Sequence, residues 1–275
     1  MIIRTAPWMT QKSISFLNNF FKWYPSYLQR ELYLLEFGCG NSTIYFLQKG
    51  CRVLTVEDDE TFISDLITIS KSMNISSIIV NDFSNINNLF LEYKLIILKA
   101  SSYSEVTNNI FKNFNFDIVV NDGISRKEVL VDFEQYAINS ILILDNCEYC
   151  ANWGRLARSS AKVETVKIYR KFLRNTNWTK YIFEQPEGRE GHCSMDAFGW
   201  ESPNRWATAI CWNNSHILNK FMITSIGNPL VNSEGIDDED INTLNERCPY
   251  DFQNNKWLKD EYPDSLNLGL KRDFF

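Results

Sequence analysis

Residues Leu34–Asp58 read LLEFGCGNSTIYFLQKGCRVLTVED, and the organisation of the chain follows from them. The stretch opens with an apolar run that carries one acid, Glu36. Gly38-Cys39-Gly40 then forces a sharp turn, since glycine takes left-handed backbone angles there without strain. A buried strand followed at once by such a turn indicates an α/β protein.

The second half of the stretch supplies the helix and strand that complete this unit. Asn41 and Ser42 are good helix caps, and Gly50 ends the short helix that follows. Cys51–Val56 is apolar enough for a second strand, with acids at its carboxyl end. We therefore predict the first βαβ crossover of an open sheet, in which ligands bind beyond the carboxyl ends of the strands.

The turn differs from that of a dinucleotide site. The fingerprint G-x-G-x-x-G has a third glycine where helix and strand pack, and this chain has Thr43 there. Glu57 retains the acid that accepts hydrogen bonds from both hydroxyls of a ribose. These two features predict a site for a nucleoside without a pyrophosphate, and S-adenosylmethionine meets that description.

The pattern Glu36-x-Gly38-x-Gly40-x-Ser42-Thr43, with Glu57, resembles motif I and its partner acid in class I S-adenosylmethionine-dependent methyltransferases. The resemblance covers Leu32 to about Tyr149 and implies an enzyme that uses S-adenosylmethionine. It implies a Rossmann-like methyltransferase fold, an α/β structure with a mostly parallel seven-stranded sheet, order 3-2-1-4-5-7-6, and helices on both faces. The alternative is an arbitrary glycine turn in another α/β protein. The implied cofactor-binding residues are Glu36, Gly38, Gly40, Asn41, Ser42, Thr43, Glu57, Asp58, Ser101, Ser102 and Asp122.

Composition narrows the class of protein further. The chain has 275 residues, 44% of them hydrophobic, and a formal net charge of −6. No run approaches the roughly 18 apolar residues of a membrane span, so we expect no membrane association. The mild acidity argues against a nonspecific nucleic-acid surface. Seven cysteines without regular spacing indicate reduced thiols and a cytoplasmic location.

We expect three segments along the chain. Residues 1–30 form an N-terminal helical cap, residues 31–212 the methyltransferase domain, and residues 213–275 an extension of unknown role. The cap contains an amphipathic helix, Thr10–Tyr24, which Pro25 ends. This helix covers either a face of the sheet or the cofactor pocket. The sequence leaves the oligomeric state open.

Two short runs compete for the third parallel strand, Ser76–Val80 and Tyr93–Lys99. We favour Tyr93–Lys99, because a loop, a helix and strand four follow it directly. The residues between the two runs are then an inserted loop or helix. In the methyltransferases the loop after strand three touches the adenine, which implies contacts from Ser101 and Ser102.

The remaining strands follow from composition. Phe116–Val120 and Ile141–Leu144 read as buried strands four and five. Thr179–Phe183 and Trp206–Trp212 supply two more strands, which the resemblance pairs as an antiparallel edge hairpin.

Oxygen ligands follow strands four and five. Asp122 ends strand four, and Asp145 and Asn146 end strand five. Such a set suits Mg²⁺ or another divalent cation, and it resembles the metal site of catechol-type, cation-dependent O-methyltransferases. In the alternative interpretation Asp122 orients cofactor or substrate, and Asp145-Asn146 caps a turn.

The candidate catalytic residues are Asp122, Arg126 and His192. The catechol-type enzymes place a lysine base three residues after the strand-four acid, and this chain has Ser125 there. Arg126 keeps its proton, so it suits a clamp for a carboxylate or phosphate better than a base. His192 lies in a polar loop, where it is either a general base or simply solvated.

The favoured function is O-methylation of a small hydroxylated acceptor of the sugar or phenol type. A protein or nucleic-acid methyltransferase is a second possibility, although the Asn/Asp-Pro-Pro-aromatic signature of amino-nitrogen DNA methylation is absent from the sequence. The third is a nucleoside-binding scaffold without activity.

Overall fold

The structure is a computed structural model that describes residues 9, 11–100, 103–123, 126–145, 168, 171–172, 175–185, 206–219, 250–251 and 256–257. The chain divides into two compact units, Met1–Asp145 and Asn146–Phe275. The segments predicted from the sequence, 1–30, 31–212 and 213–275, were defined by their expected roles and not by compactness. They therefore stay predictions. Within the described ranges, none of the helices combines the length and apolarity that a bilayer crossing requires.

The first unit alternates helices and strands. Its elements are α1 (Gln11–Leu28), β1 (Tyr33–Phe37), α2 (Asn41–Gln48), β2 (Arg52–Glu57), α3 (Glu60–Ser72), β3 (Ser77–Val80), α4 (Ile86–Glu92), β4 (Leu95–Lys99), α5 (Tyr103–Asn113), β5 (Ile118–Asn121), α6 (Arg126–Tyr136) and β6 (Ile141–Asp145). The strands of this unit are parallel and lie in the order β3-β4-β2-β1-β5-β6. The central strands are buried along nearly their whole length, as expected for a parallel sheet covered on both faces.

The order in which the chain adds strands to the sheet reverses at β1. The chain steps outward from β1 to β2 and returns to β5 on the other side of β1. Right-handed crossovers therefore place α2 and α3 on one face and α5 and α6 on the other. Phe111 of α5 contacts Phe133 of α6 with ring centroids 6.3 Å apart, which agrees with their sharing a face. The crevice beyond the carboxyl ends of β1 and β5 is thus the place for a ligand.

The predicted order 3-2-1-4-5 is confirmed in the first unit, where those strands are β4, β2, β1, β5 and β6. Both candidates for strand three form strands. The favoured run pairs with β2, as predicted, and Ser77–Val80 adds a further parallel strand, β3, outside it. The insertion between the two runs contains α4. The extra strand is short, with Ile79 half exposed, which is typical of a sheet edge.

The second unit contains the two antiparallel strands that the sequence predicts. They are β7 (Trp178–Gln185) and β8 (Trp206–Asn213), and their register runs from Trp178↔Asn213 to Gln185↔Trp206. Together with the six strands of the first unit, β7 and β8 make eight strands, where the sequence predicts seven, and the additional strand is β3. Two short strands, β9 (Tyr250–Asp251) and β10 (Lys256–Trp257), pair within the predicted extension.

Tryptophan and asparagine side chains stabilise the β7–β8 pair. Trp212 is fully buried and stacks on Tyr181 with ring centroids 5.1 Å apart. Its indole Nε1–H donates to Asn219 Oδ1 at 2.7 Å, so this buried donor has an acceptor.

Helix α1 is longer than predicted. Pro25 lies inside it, and the helix ends at Leu28, followed by Gln29 in the left-handed conformation with φ 55°. Proline lacks the N–H of a helical hydrogen bond, but α1 continues past it to Leu28. Phe21 packs against Phe46 with ring centroids 6.0 Å apart, and Tyr45 Oη donates to the side-chain oxygen of Asn18 at 3.0 Å. These contacts join the part of α1 that precedes Pro25 to α2.

Asp117 connects the amino ends of β1 and β5. Both terminal guanidinium nitrogens of Arg30 donate to its carboxylate, at 2.7 and 2.6 Å, and the Tyr33 N–H donates to it at 2.8 Å. Arg30 is about half exposed, whereas Asp117 is largely buried.

We predict that Asp117→Ala lowers the free energy of unfolding by about 1–3 kcal/mol, because the Tyr33 N–H loses its acceptor in a partly buried position. Arg30→Ala should cost less than about 1 kcal/mol, since solvent screens its half of the ion pair. Urea unfolding followed by circular dichroism measures both values. Equal losses in the two variants would contradict this ranking.

Candidate cofactor site

The glycine turn after β1 is bonded internally. Gly38 lies in the left-handed region with φ 88°. The three backbone N–H groups of the turn all donate within the protein, Gly38 to Val56 O at 3.0 Å, Cys39 to Glu57 Oε2 at 2.9 Å and Gly40 to Thr43 Oγ1 at 2.9 Å. A phosphate-binding loop instead leaves such groups for its ligand. These three N–H groups are therefore not available to a pyrophosphate.

Glu36 is buried at the centre of this arrangement, with none of its surface exposed. Ser42 Oγ and Thr43 Oγ1 donate to its two carboxylate oxygens at 2.5 Å each. Burial, together with the smaller effect of the charges of Asp122 and Glu57, raises the pKa of Glu36 to about 8, and the two hydrogen bonds oppose this shift. The three acids thus act electrostatically on one another. Thr43, at the position of the third fingerprint glycine, links Glu36 to the turn through its hydroxyl.

Glu57 binds backbone on both of its oxygens. Oε2 accepts the Cys39 N–H, and Oε1 accepts the N–H groups of Asp58 at 2.9 Å and Asp59 at 3.1 Å. Glu57 is nearly buried, whereas Asp58 is exposed. This side chain therefore holds the exit of β2 against the glycine turn. Its predicted contact with a ribose stays a prediction, as does the contact from Asp58.

The turns after β1 and β5 meet at two glycines. A Cβ atom on Gly38 would lie 3.1 Å from Gly123 Cα and 3.3 Å from the carbonyl carbon of Asp122. A Cβ atom on Gly123 would lie 2.5 Å from the ring of Tyr103 and 3.0 Å from the carbonyl carbon of Phe37. Neither position has room for a side chain. This close approach brings Asp122 beside the glycine turn.

Space remains next to Gly40. Among the described residues, and leaving aside its two chain neighbours, no heavy atom lies within 4 Å of the place that a Cβ atom of Gly40 would take. Asn41 and Ser42, the predicted contacts that follow, are almost buried at the start of α2. A ligand can therefore approach the backbone closely at this point of the turn.

Tyr103 belongs to the site although the sequence analysis missed it. It is the first residue of α5 and is 5% exposed, and its ring centroid lies 5.9 Å from that of Phe37. Burial raises the pKa of its hydroxyl well above the ordinary value, and the charges of Glu57 and Asp58 add to the shift. The Tyr103 hydroxyl is therefore close enough to Glu57 and Asp58 for their negative charges to disfavour its ionisation. The sequence feature that could have indicated Tyr103 is an aromatic residue in the loop-to-helix segment that follows strand three.

Asp122 is paired with Arg126. Arg126 Nη2 lies 2.6 Å from Asp122 Oδ1 and 3.1 Å from the Asp122 carbonyl oxygen. The backbone oxygen of Arg126 accepts the side-chain amide of Asn121 at 2.9 Å, and Asn121 is fully buried. Asn121 is a second residue that the sequence analysis did not single out. Arg126 was predicted to hold a carboxylate or phosphate of the substrate, and in this structure it holds the carboxylate of Asp122.

The predicted metal ligands are only partly described. Asn121 pairs with Leu144 in the sheet, so Asp122 and Asp145 follow adjacent positions on neighbouring strands, as predicted. Within the described ranges, no group of three or more His, Cys, Asp or Glu side chains could hold a metal ion. The carboxylate of Asp122 already binds a guanidinium, so the described donors fit a divalent cation poorly.

Several predicted residues lie outside the described ranges. They are Ser101, Ser102, Asn146 and His192, together with Ser125 at the position of the missing lysine. Their predicted roles at the adenine, the metal and the acceptor stay predictions.

Comparison with known proteins gives similarity of structure alone. Neither protein-family models nor curated proteins match the chain. A protein of Staphylococcus aureus provisionally assigned as a caffeoyl-CoA O-methyltransferase matches with TM-score 0.47 and 13% identity, over 74% of this chain and 85% of that one. An O-methyltransferase of Bacillus cereus in complex with S-adenosylhomocysteine gives 0.43 and 15%, over 71% and 80%. A Podospora anserina methyltransferase bound to S-adenosylhomocysteine gives 0.44 and 11%, over 72% and 78%.

The fold assignment rests on this chain's own strand order. The order in which strands are added reverses at β1, a glycine turn follows that strand, and an acid ends β2. The first unit has a Rossmann-like α/β fold. Within this fold, Glu36, Glu57 and Asp122 lie around the turn at the switch point of the sheet, where a ligand is expected.

Stability should depend on pH through Glu36. Its pKa is raised from 4.5 in the unfolded chain to about 8, so the folded protein retains a proton that the unfolded chain releases between these values. The contribution to stability is full below the lower value and is lost as pH rises through the higher one, with a slope of at most about 1.4 kcal/mol per pH unit. Glu36→Gln cannot titrate and should remove this slope.

Urea unfolding of both proteins at several pH values across this window measures the difference. Stability curves that run parallel in the wild type and in Glu36→Gln would show that Glu36 is ionised in the folded protein throughout.

Proposed function

We propose that this chain is an S-adenosylmethionine-dependent methyltransferase that methylates a hydroxyl oxygen of a small acceptor, of the sugar or phenol type. The observation that carries the proposal is the glycine turn at the switch point. Its N–H groups are bonded internally, space remains beside Gly40, and buried acids surround it.

The charge of the site supports a cationic cofactor. Glu36, Glu57 and Asp122 act on one another electrostatically, and Arg126 pairs with the last of them. S-adenosylmethionine carries a sulfonium and an ammonium group, which the Glu57 carboxylate attracts, whereas the raised pKa of Glu36 keeps that side chain mostly protonated at neutral pH and Arg126 neutralises Asp122. A dinucleotide would bring a pyrophosphate to the same acids and to a turn whose N–H groups are already used.

The proposed reaction is an in-line displacement. A bond forms between the acceptor oxygen and the methyl carbon while the carbon–sulfur bond breaks, and the acceptor proton leaves to a base. Placing the acceptor oxygen in line with the methyl group supplies much of the acceleration. Asp122 and His192 are the proposed bases, of which Asp122 lies beside the glycine turn.

The proposed setting is the cytoplasm, and the proposed partner is a small molecule rather than a nucleic acid. The cysteines within the described ranges are free thiols, namely Cys39, Cys51 and Cys211. This supports a reducing compartment.

Calorimetry tests the cofactor directly. Titration with S-adenosylmethionine and with S-adenosylhomocysteine should give micromolar dissociation constants, a binding free energy of roughly −7 to −8 kcal/mol. A wild-type protein that binds neither compound would reject the proposal.

Glu57 allows a sharper test of the site. Glu57→Ala should weaken cofactor binding by about 1–3 kcal/mol, through lost ribose hydrogen bonds and a loosened turn. Glu57→Gln keeps one acceptor oxygen and should weaken binding less. The control is Glu60→Ala, which removes an acid whose side chain is 71% exposed and should leave the dissociation constant unchanged. Equal effects of Glu57→Ala and Glu60→Ala would mean that Glu57 has no part in binding.

Transfer of a labelled methyl group identifies the acceptor class. The protein is incubated with methyl-labelled S-adenosylmethionine and fractionated cell lysate. Label in the small-molecule fraction is the expected result. Label in protein or nucleic acid would replace the proposed acceptor, and cofactor binding without any transfer would indicate a nucleoside-binding scaffold.

A further inference from the structure

The Asp122–Arg126 ion pair places a fixed positive charge at the acid on which the predicted metal site depends. The guanidinium lies 2.6 Å from one carboxylate oxygen of Asp122 and also binds the carbonyl of that residue. We propose that Arg126 takes the place of a divalent cation at Asp122, and that it positions this acid for methyl transfer without a metal. The catalytic half of this proposal rests on the proposed function.

Arg126 is anchored too firmly to be moved aside at little cost. Its side chain is 14% exposed, compared with 28% for Asp122. It is the first residue of α6, and its backbone oxygen accepts a hydrogen bond from the fully buried Asn121 at the end of β5. Helix, strand and ion pair thus hold the guanidinium at the carboxyl end of the sheet.

Electrostatics disfavours a second cation at the same carboxylate. The guanidinium neutralises the charge on Asp122 that would attract a divalent ion, and it repels any cation bound to the other oxygen. Arginine also keeps its proton throughout the working pH range, so deprotonation does not remove the pair. A metal at Asp122 would have to displace Arg126 from a largely buried place.

In this proposal the ion pair with Arg126 leaves Asp122 to act as the base for methyl transfer and not as a metal ligand. In the proposed step, the acceptor oxygen bonds to the methyl carbon as the sulfonium loses it, and the hydroxyl proton passes to the Asp122 carboxylate. Arg126 does not touch the reacting atoms in this scheme. It fixes the direction of the Asp122 side chain, and it is therefore a positioning residue.

Metal binding tests the first half of the proposal without any need for activity. Mn²⁺ is titrated into the full-length wild type, Arg126→Gln and Asp122→Asn, and free Mn²⁺ is followed by electron paramagnetic resonance. The expected result for the wild type is no saturable binding up to millimolar Mn²⁺. One stoichiometric site of micromolar affinity in the wild type, lost in Asp122→Asn, would overturn it.

Turnover tests the second half. Activity of the wild type should be the same in chelator and in Mg²⁺. Arg126→Gln should lower kcat by about tenfold or more while the dissociation constant for S-adenosylmethionine stays within about threefold, and Arg126→Lys should recover part of kcat. Loss of activity in chelator with recovery in Mg²⁺ would overturn the proposal, as would an unchanged kcat in Arg126→Gln.

Calorimetry in chelator separates this proposal from the proposed function. If the wild type binds no S-adenosylmethionine, the methyltransferase function fails, and the Mn²⁺ titration still decides whether Arg126 excludes a metal. Urea unfolding of Arg126→Gln controls for structure. A lower kcat at unchanged fold supports positioning, and a loss of stability with no change in kcat of the folded fraction contradicts it.

Discussion

Two backbone turns lie so close in this protein that neither has room for a side chain at the point of contact. Gly38 follows β1, Gly123 follows β5, and a Cβ atom on either would meet the backbone around the other turn. The positions of the remaining site residues depend on this approach. It puts Asp122 beside the glycine turn and leaves the ring of Tyr103 packed over Gly123. A side chain at either glycine would separate the groups that the site brings together.

The acids of the site have a structural role before they have a chemical one. Glu36 accepts two hydroxyl hydrogen bonds, and Glu57 accepts three backbone N–H groups. Buried carboxylates are costly unless they are bonded in this way. Asp122 and Glu57 nevertheless lie close enough to add to the raised pKa of Glu36, and a perturbed pKa of this kind is typical of functional sites. Arg126 is the positive side chain that α6 brings to this group.

The sequence predicted the parts of the site that follow from local pattern. The strand, turn and helix from Glu36 to Thr43 are encoded within a few residues, so this part of the fold could be anticipated. The sequence pattern predicted Glu36, Ser42 and Thr43 as cofactor contacts, whereas the hydrogen bonds from the two hydroxyls to the buried Glu36 appear only in the structure. The roles of Tyr103 and Asn121 depend on contacts between distant segments, which no local spacing reveals. The additional strand β3 arises because two apolar runs both find a partner in the sheet, where the pattern alone suggested a choice between them.

Helix α1 shows the same limit of local rules. A proline such as Pro25 commonly ends a helix, but α1 continues through it to Leu28. Arg126 is an intermediate case. Its spacing of four residues from Asp122 permits an ion pair across a helix start, but only the structure shows that the pair forms and that it is largely buried.

The internal bonding of the glycine turn also affects the entropy of binding. Ordering a backbone segment on binding costs conformational entropy, and this cost lowers the affinity of ligands that must organise their own site. Here Val56, Glu57 and Thr43 already hold the three amides of the turn, so folding has ordered this segment before any ligand arrives. A ligand that docks at Gly40 meets a preformed surface. Its affinity then reflects the contacts it makes, with little lost to ordering the turn.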